Sequence, residues 1–321
     1  VKPFFEDYCE DNESLVKYRD LLAIGSEFLE EIVRFGNEVI HVCIKKAQGD
    51  TRRVHFTLLG LARHQLAYMD SANILLGKGC VEACLPLLRS MLESHLGIAH
   101  IVQDKHEDRA LAYELVRIKR RLKELRMADK THTDGKQLEA ELASDALVAG
   151  ILDKMPKDLS ARAAVVEAKL ADPKFAPILA EWERLKRPAG KSKQKDPEWF
   201  SLFGGGNSIR DLAKNLGSIS LYAFIYKELS NSTHAATALD SFTEVGGDIT
   251  QIRQLRHPGG YHKLFRGVFM IFLISFDKLL EFYDKQQQGT FRHHMTASVV
   301  PRFHIIFGHM KKHLPAWLSV E

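Results

Sequence analysis

Apolar residues recur at three- and four-residue spacings through most of the chain, a period that predicts helices rather than strands. The first such run spans 14–47 ("SLVKYRDLLAIGSEFLEEIVRFGNEVIHVCIKKA") and the second 51–77, after which Lys78-Gly79 offers a stop. A third helix is expected at about 80–103. A more exposed amphipathic one follows at 106–129 ("HEDRALAYELVRIKRRLKELRMAD"). The connections are short, which favours antiparallel neighbours.

From 130 to 187 the pattern thins to Ala, Lys and Glu with few large apolar anchors, the mark of a helical insertion or lid. "RPAGKSKQKDPEW" (187–199) reads as a basic loop. "FGGGNSIRDLA" turns into a new helix with Asn207 or Ser208 as its N-cap. "SISLYAFIYKELSNSTHA" (218–235) is the next strong helix, and the Gly/Thr-rich stretch after it has room for a loop or one short hairpin. "KLFRGVFMIFLISFDKLLEFYDK" (263–285) is core, and the tail adds a last helix. The fold class expected is all-α: a multi-helix bundle with a helical insertion and at most one short β-hairpin. The parts are 1–129 for the N-terminal helices, 130–200 for the insertion and 201–321 for the helices that complete the bundle.

Polar residues interrupt two of the apolar helices. "LLRSMLESHLGIAH" (87–100) carries Arg89, Glu93, His95 and His100 among its leucines. Residues four apart share a helix face, so Arg89 and Glu93 project together. In the later helix Tyr222, Tyr226, Ser230 and His234 form a second ladder at the same spacing, and Arg109 and Tyr113 form a third pair. A buried arginine without partners is costly, and buried polar groups are hydrogen-bonded almost without exception. The polar faces are therefore expected to meet: Arg89, Glu93, Ser230 and His234 as the chemical groups, with Tyr226, Arg109 and Tyr113 as binding residues nearby.

The pair of signatures "RSMLE" (89–93) and "YKELSNSTH" (226–234) resembles a bacterial family of helical proteins of unknown function, marked by an RSxLE helix and a later YxxLSxxxH helix. The resemblance covers roughly 50–285. It implies a helical fold and a shared Arg/Glu/Ser/His cluster, and brings no activity with it. Arg89 and His95, with five residues between them, are also similar to the R-x₄₋₆-H motif of the HEPN family of helical ribonucleases. This chain departs from that pattern: Ser90 follows the arginine where Asn, Asp or His is usual, and the motif sits in the third helix instead of late in the domain. Six residues of α-helix also leave Arg89 and His95 about 120° apart.

Composition narrows the choices further. Of 321 residues, 45 % are hydrophobic and 27 % charged, and the net charge is only +4, so global charge makes no case for nucleic acid or a membrane. Local stretches do: "RIKRRLKELR" (117–126) holds six basic residues against one acid, and "RLKRPAGKSKQK" (184–195) six against none. Neither has interleaved aromatics for base stacking. Cys9, Cys43, Cys80 and Cys84 form no CxxC pair, which argues against a four-ligand zinc site and for a reducing compartment. The first residues lack the apolar stretch of a secretory signal, and "GVFMIFLISF" is half of a membrane span. A cytoplasmic protein is expected. Glu38 and His41 make a single E-x-x-H where a di-iron bundle needs two. "FGGGNS" lacks the Lys-Ser/Thr of a phosphate loop, and the tail histidines (His293, His294, His304, His309, His313) suit an amphipathic terminal helix. No metal or cofactor is called for. Partners expected are RNA or a nucleotide, no membrane, and a second copy or another protein. Three functional classes stay open: metal-independent ribonuclease chemistry in a toxin or defence setting, a non-catalytic scaffold or sensor, and small-ligand binding.

Overall fold

The structure, a computed structural model, describes residues 13–145, 147–186, 196–226, 229–230, 242–245, 248–252 and 256–314. It is all-α apart from one short hairpin. By contacts the chain divides into two units: one takes the chain up to Asp104 and again from Ala213, the other is Lys105–Leu212.

In the first unit, α1 (Glu13–Ala47), α2 (Arg53–Gly77), α3 (Leu85–Gln103) and α9 (Tyr261–Tyr283) pack on one another. The buried stripe of α1 runs Leu22, Phe28, Leu29, Ile32, Val39, Ile40, Cys43, the three-and-four spacing that made it legible. Gly36 lets α1 approach closely. A Cβ there would lie 2.7 Å from Leu66 and 2.8 Å from the Phe272 ring. Phe28, Phe265, Phe269 and Phe303 form the aromatic centre, with Phe269 and Phe303 stacked at 4.5 Å.

α2 ends as its sequence predicts. Gly79 takes φ +72°, and Cys80 N–H returns to Leu75 O while Gly79 N–H returns to Leu76 O, the paired bonds of a Schellman stop. Cys80 then forms a parallel bridge with His257, whose N–H donates to Gly79 O at 2.8 Å. The antiparallel hairpin β1 (Phe242–Val245) and β2 (Asp248–Ile252) pairs Phe242 with Ile252, with an irregularity between Thr243 and Glu244.

The tail holds two helices where one was expected. These are α10 (Lys285–His294), capped by Asp284, and α11 (Val300–His313), joined through a π turn at Met295–Val299. Phe291, Met295, Val299 and Phe303 are buried four apart, while all five tail histidines are exposed. A strict four-residue repeat drifts around an α-helix of 3.6 residues per turn, and the wider π turn takes up the drift.

The second unit has its own core. α4 (His106–Ala128) lays Leu111, Ala112, Leu115 and Ile118 against Phe175, Ile178, Trp182 and Leu202, and α5 (Thr133–Leu142), α6 (Leu159–Leu170) and α7 (Ala176–Leu185) pack on it. Composition placed the breaks at 129/130 and 200/201; the contacts place them at 104/105 and 212/213, because the apolar stripe of α4 belongs to this core. Ser208 is the cap of α8 (Ile209–Asn215): its Oγ accepts from Asp211 N–H at 3.1 Å, and the Asp211 carboxylate accepts in return from Asn207 N–H and Ser208 Oγ–H.

Candidate functional site

The sequence asked where Arg89 and Glu93 turn, and the structure answers within the first unit. Arg89 Nε donates to Glu93 Oε1 at 3.1 Å, one helical turn on. Its Nη2 donates to Tyr226 Oη at 2.9 Å, and its Nη1 reaches Ser230 Oγ at 3.5 Å. Tyr226 Oη donates its single hydrogen to Glu93 Oε1 at 2.9 Å. Arginine, carboxylate and phenol thus close a ring, and the guanidinium carbon lies 5.0 Å from the Tyr226 ring centre.

Burial is graded across the cluster. Tyr226 is 7 % exposed, the Arg89 side chain 22 % and the Glu93 side chain 41 %. Burial pushes the Tyr226 phenol up to about 12, with the Glu93 charge adding to it and Arg89 opposing. Burial works against the charge of Arg89, but Tyr226 and Glu93 outweigh it and hold the guanidinium above its ordinary value. At neutral pH Arg89 is therefore a cation and Tyr226 a neutral phenol. A guanidinium has five N–H groups, and the bonds to Glu93, Tyr226 and Ser230 engage three.

The helix that brings Tyr226 here is not a plain α-helix. After one turn at Ile219–Leu221 the backbone runs as a π turn over Tyr222–Tyr226. Across it the rings of Tyr222 and Tyr226 stack at 5.3 Å and 20°. The even ladder read from the sequence contained no sign of it.

The other expected residues fall elsewhere. His95 points into the core, 4 % exposed, with Nδ1 3.1 Å from Ser275 Oγ. Ser275 uses its hydrogen on Ile271 O at 2.6 Å and accepts from Gln65 Nε2 at 2.9 Å. The imidazole Nδ1 must then carry a proton for the third bond. Burial, with Lys278 adding to it, lowers its pKa to about 4. Arg89 and His95 are not brought together, as their 120° offset requires. Arg109 and Tyr113 belong to the second unit. There Arg109 Nη2 donates to Phe203 O at 3.1 Å, and Tyr113 meets Trp199 edge-on at 5.1 Å. His234 lies outside the described residues. Glu38 and His41 are both exposed on α1, and among the described residues no group of three metal-ligating side chains forms.

One polar set that sequence reasoning passed over lies at the end of α1. Asp50 accepts from Arg52 through both oxygens and lies 2.9 Å from His55 Nε2, and His55 Nδ1 is 3.1 Å from Tyr283 Oη. The Arg52 bond is the main cause holding the Asp50 carboxyl well below its usual range. The D-T-R-R-V-H spacing gives no signal of the partner 228 residues away.

No helix among the described residues is long and apolar enough to cross a membrane. No curated protein and no solved structure matches the chain. Residues 55–249, which contain both the Arg89–Glu93 turn and the Tyr226–Ser230 turn, match a family of unknown function, DUF5677. The chain belongs to that family.

Proposed function

We propose that the Arg89–Glu93–Tyr226–Ser230 cluster handles a phosphate-bearing substrate, RNA above all, in metal-independent ribonuclease-like chemistry. The observation that carries the reading is the state of Arg89: held in place by three neighbours, partly open to solvent, and with guanidinium N–H groups to spare. A preorganised guanidinium of this kind suits bidentate phosphate binding. Glu93 engages one oxygen in the ring and so orients Arg89. His234, four residues after Ser230 in the sequence, supplies the proton-transfer group that works near neutral pH. Tyr226 and Ser230 complete the hydrogen bonds. The toxin or defence setting follows by analogy with helical ribonucleases, a fold-level warrant.

The closed ring also favours a second reading, a structural clamp that fixes α3 against the Tyr226 segment and does no chemistry. Incubating cellular RNA in EDTA with the wild-type chain, His234→Ala and Arg89→Met separates the two. Cleavage by the wild type alone, with His234→Ala melting where the wild type does, is the expected result. No cleavage by any of them, with Arg89→Met melting far lower, leaves only the clamp.

A further inference from the structure

We infer that Tyr222 is a stacking platform for an unpaired nucleobase, so that the site takes a single-stranded nucleotide chain and not a duplex. This rests on the reading of Arg89 as the partner of a phosphate. Tyr226 is immobilised by the bond it donates to Glu93 and the one it accepts from Arg89. Tyr222 stacks on that fixed ring at 5.3 Å, nearly parallel, so its own plane is fixed as well. Yet Tyr222 is only half-buried, and its neighbours Ile219, Ser220 and Ala223 are exposed. A rigid aromatic ring, backed on one side and reachable from solvent, is the geometry that base stacking uses.

Bases inside a duplex already cover their faces with one another, so only an unpaired base can be offered to Tyr222. Stacking is tolerant of base identity, so no strong sequence preference is expected from this contact.

The test is fluorescence anisotropy in EDTA with the full chain and a labelled short single-stranded RNA, beside an abasic strand of the same length and the same RNA annealed into a duplex. Tyr222→Leu should weaken RNA binding about tenfold and Tyr222→Phe should leave it nearly unchanged. The wild type should bind the abasic strand about tenfold more weakly than the RNA, a comparison that needs no variant to fold. Arg89→Met should weaken RNA and abasic strand alike. If Tyr222→Leu or the abasic strand binds as tightly as the reference, or the duplex matches the single strand, the platform is wrong while the phosphate reading stands. If the wild type binds neither strand, both fall together.

Discussion

Tyr226 shows how one side chain converts two charges into a defined geometry. Its hydroxyl accepts from Arg89 and donates to Glu93, so removing it leaves the ion pair but frees its direction. Hydrogen bonds to charged groups contribute about 1.5–3 kcal/mol, and Tyr226→Phe should lose stability of that order in urea unfolding. An unchanged midpoint would mean that the ring of bonds carries no folding energy. His95 is the opposite case, a core imidazole kept neutral. Its pKa in the folded chain is about 4, below the ordinary 6.5, so between these values the unfolded chain binds the extra proton. Stability from this group is complete above pH 6.5 and declines as pH falls, by about 3 kcal/mol at pH 4. Unfolding measured at pH 6.5 and 4.5 should show the loss in the wild type and a flatter slope in His95→Gln; equal slopes would place the proton elsewhere.

Among the elements, Gly36 of α1 and Gly60 of α2 carry opposite predictions. Gly36 faces Leu66 and Phe272, and a methyl group there needs space that the core has already filled. Gly36→Ala should cost about 1–3 kcal/mol by overpacking. Gly60 is exposed within α2, and a Cβ there meets nothing within 4 Å, so Gly60→Ala should stabilise by about 0.5–1 kcal/mol through helix propensity. Thermal melts of both variants check the pair, and a shared sign would contradict the packing of α1. The same contrast explains what was readable in advance. The stripe of α1, the stop after Gly77 and the Ser208 cap depend on residues a few positions apart, and sequence displays those. The meeting of Arg89 with Tyr226 was reachable because an arginine amid leucines has to find partners. The π turns were not, because a four-residue repeat looks the same in the letters whether the backbone drifts or widens to absorb it. Nor was the Asp50–His55–Tyr283 set, whose members only the packed bundle brings together.

For the whole molecule, the decisive residues are ordinary apolar ones. Leu115 and Ile118 of α4 could have served either unit by periodicity alone. Their contacts with Phe175 and Trp182 give Lys105–Leu212 a core of its own, and a segment of this length with its own core is a candidate for independent folding. Two of the chain's three tryptophans, Trp182 and Trp199, lie inside it; Trp317 lies outside the described residues. In a Trp317→Phe background, tryptophan fluorescence therefore follows the second unit alone, while far-ultraviolet circular dichroism follows the helices of both. Two units that unfold separately give urea curves that do not coincide by the two probes, the standard departure from two-state behaviour. Phe175→Ala should then sharpen the difference, moving the fluorescence midpoint by a destabilisation of about 3–5 kcal/mol and leaving the remaining dichroism transition in place. Coincident curves in both proteins would show that the first unit, with its Arg89 cluster, folds only together with the second.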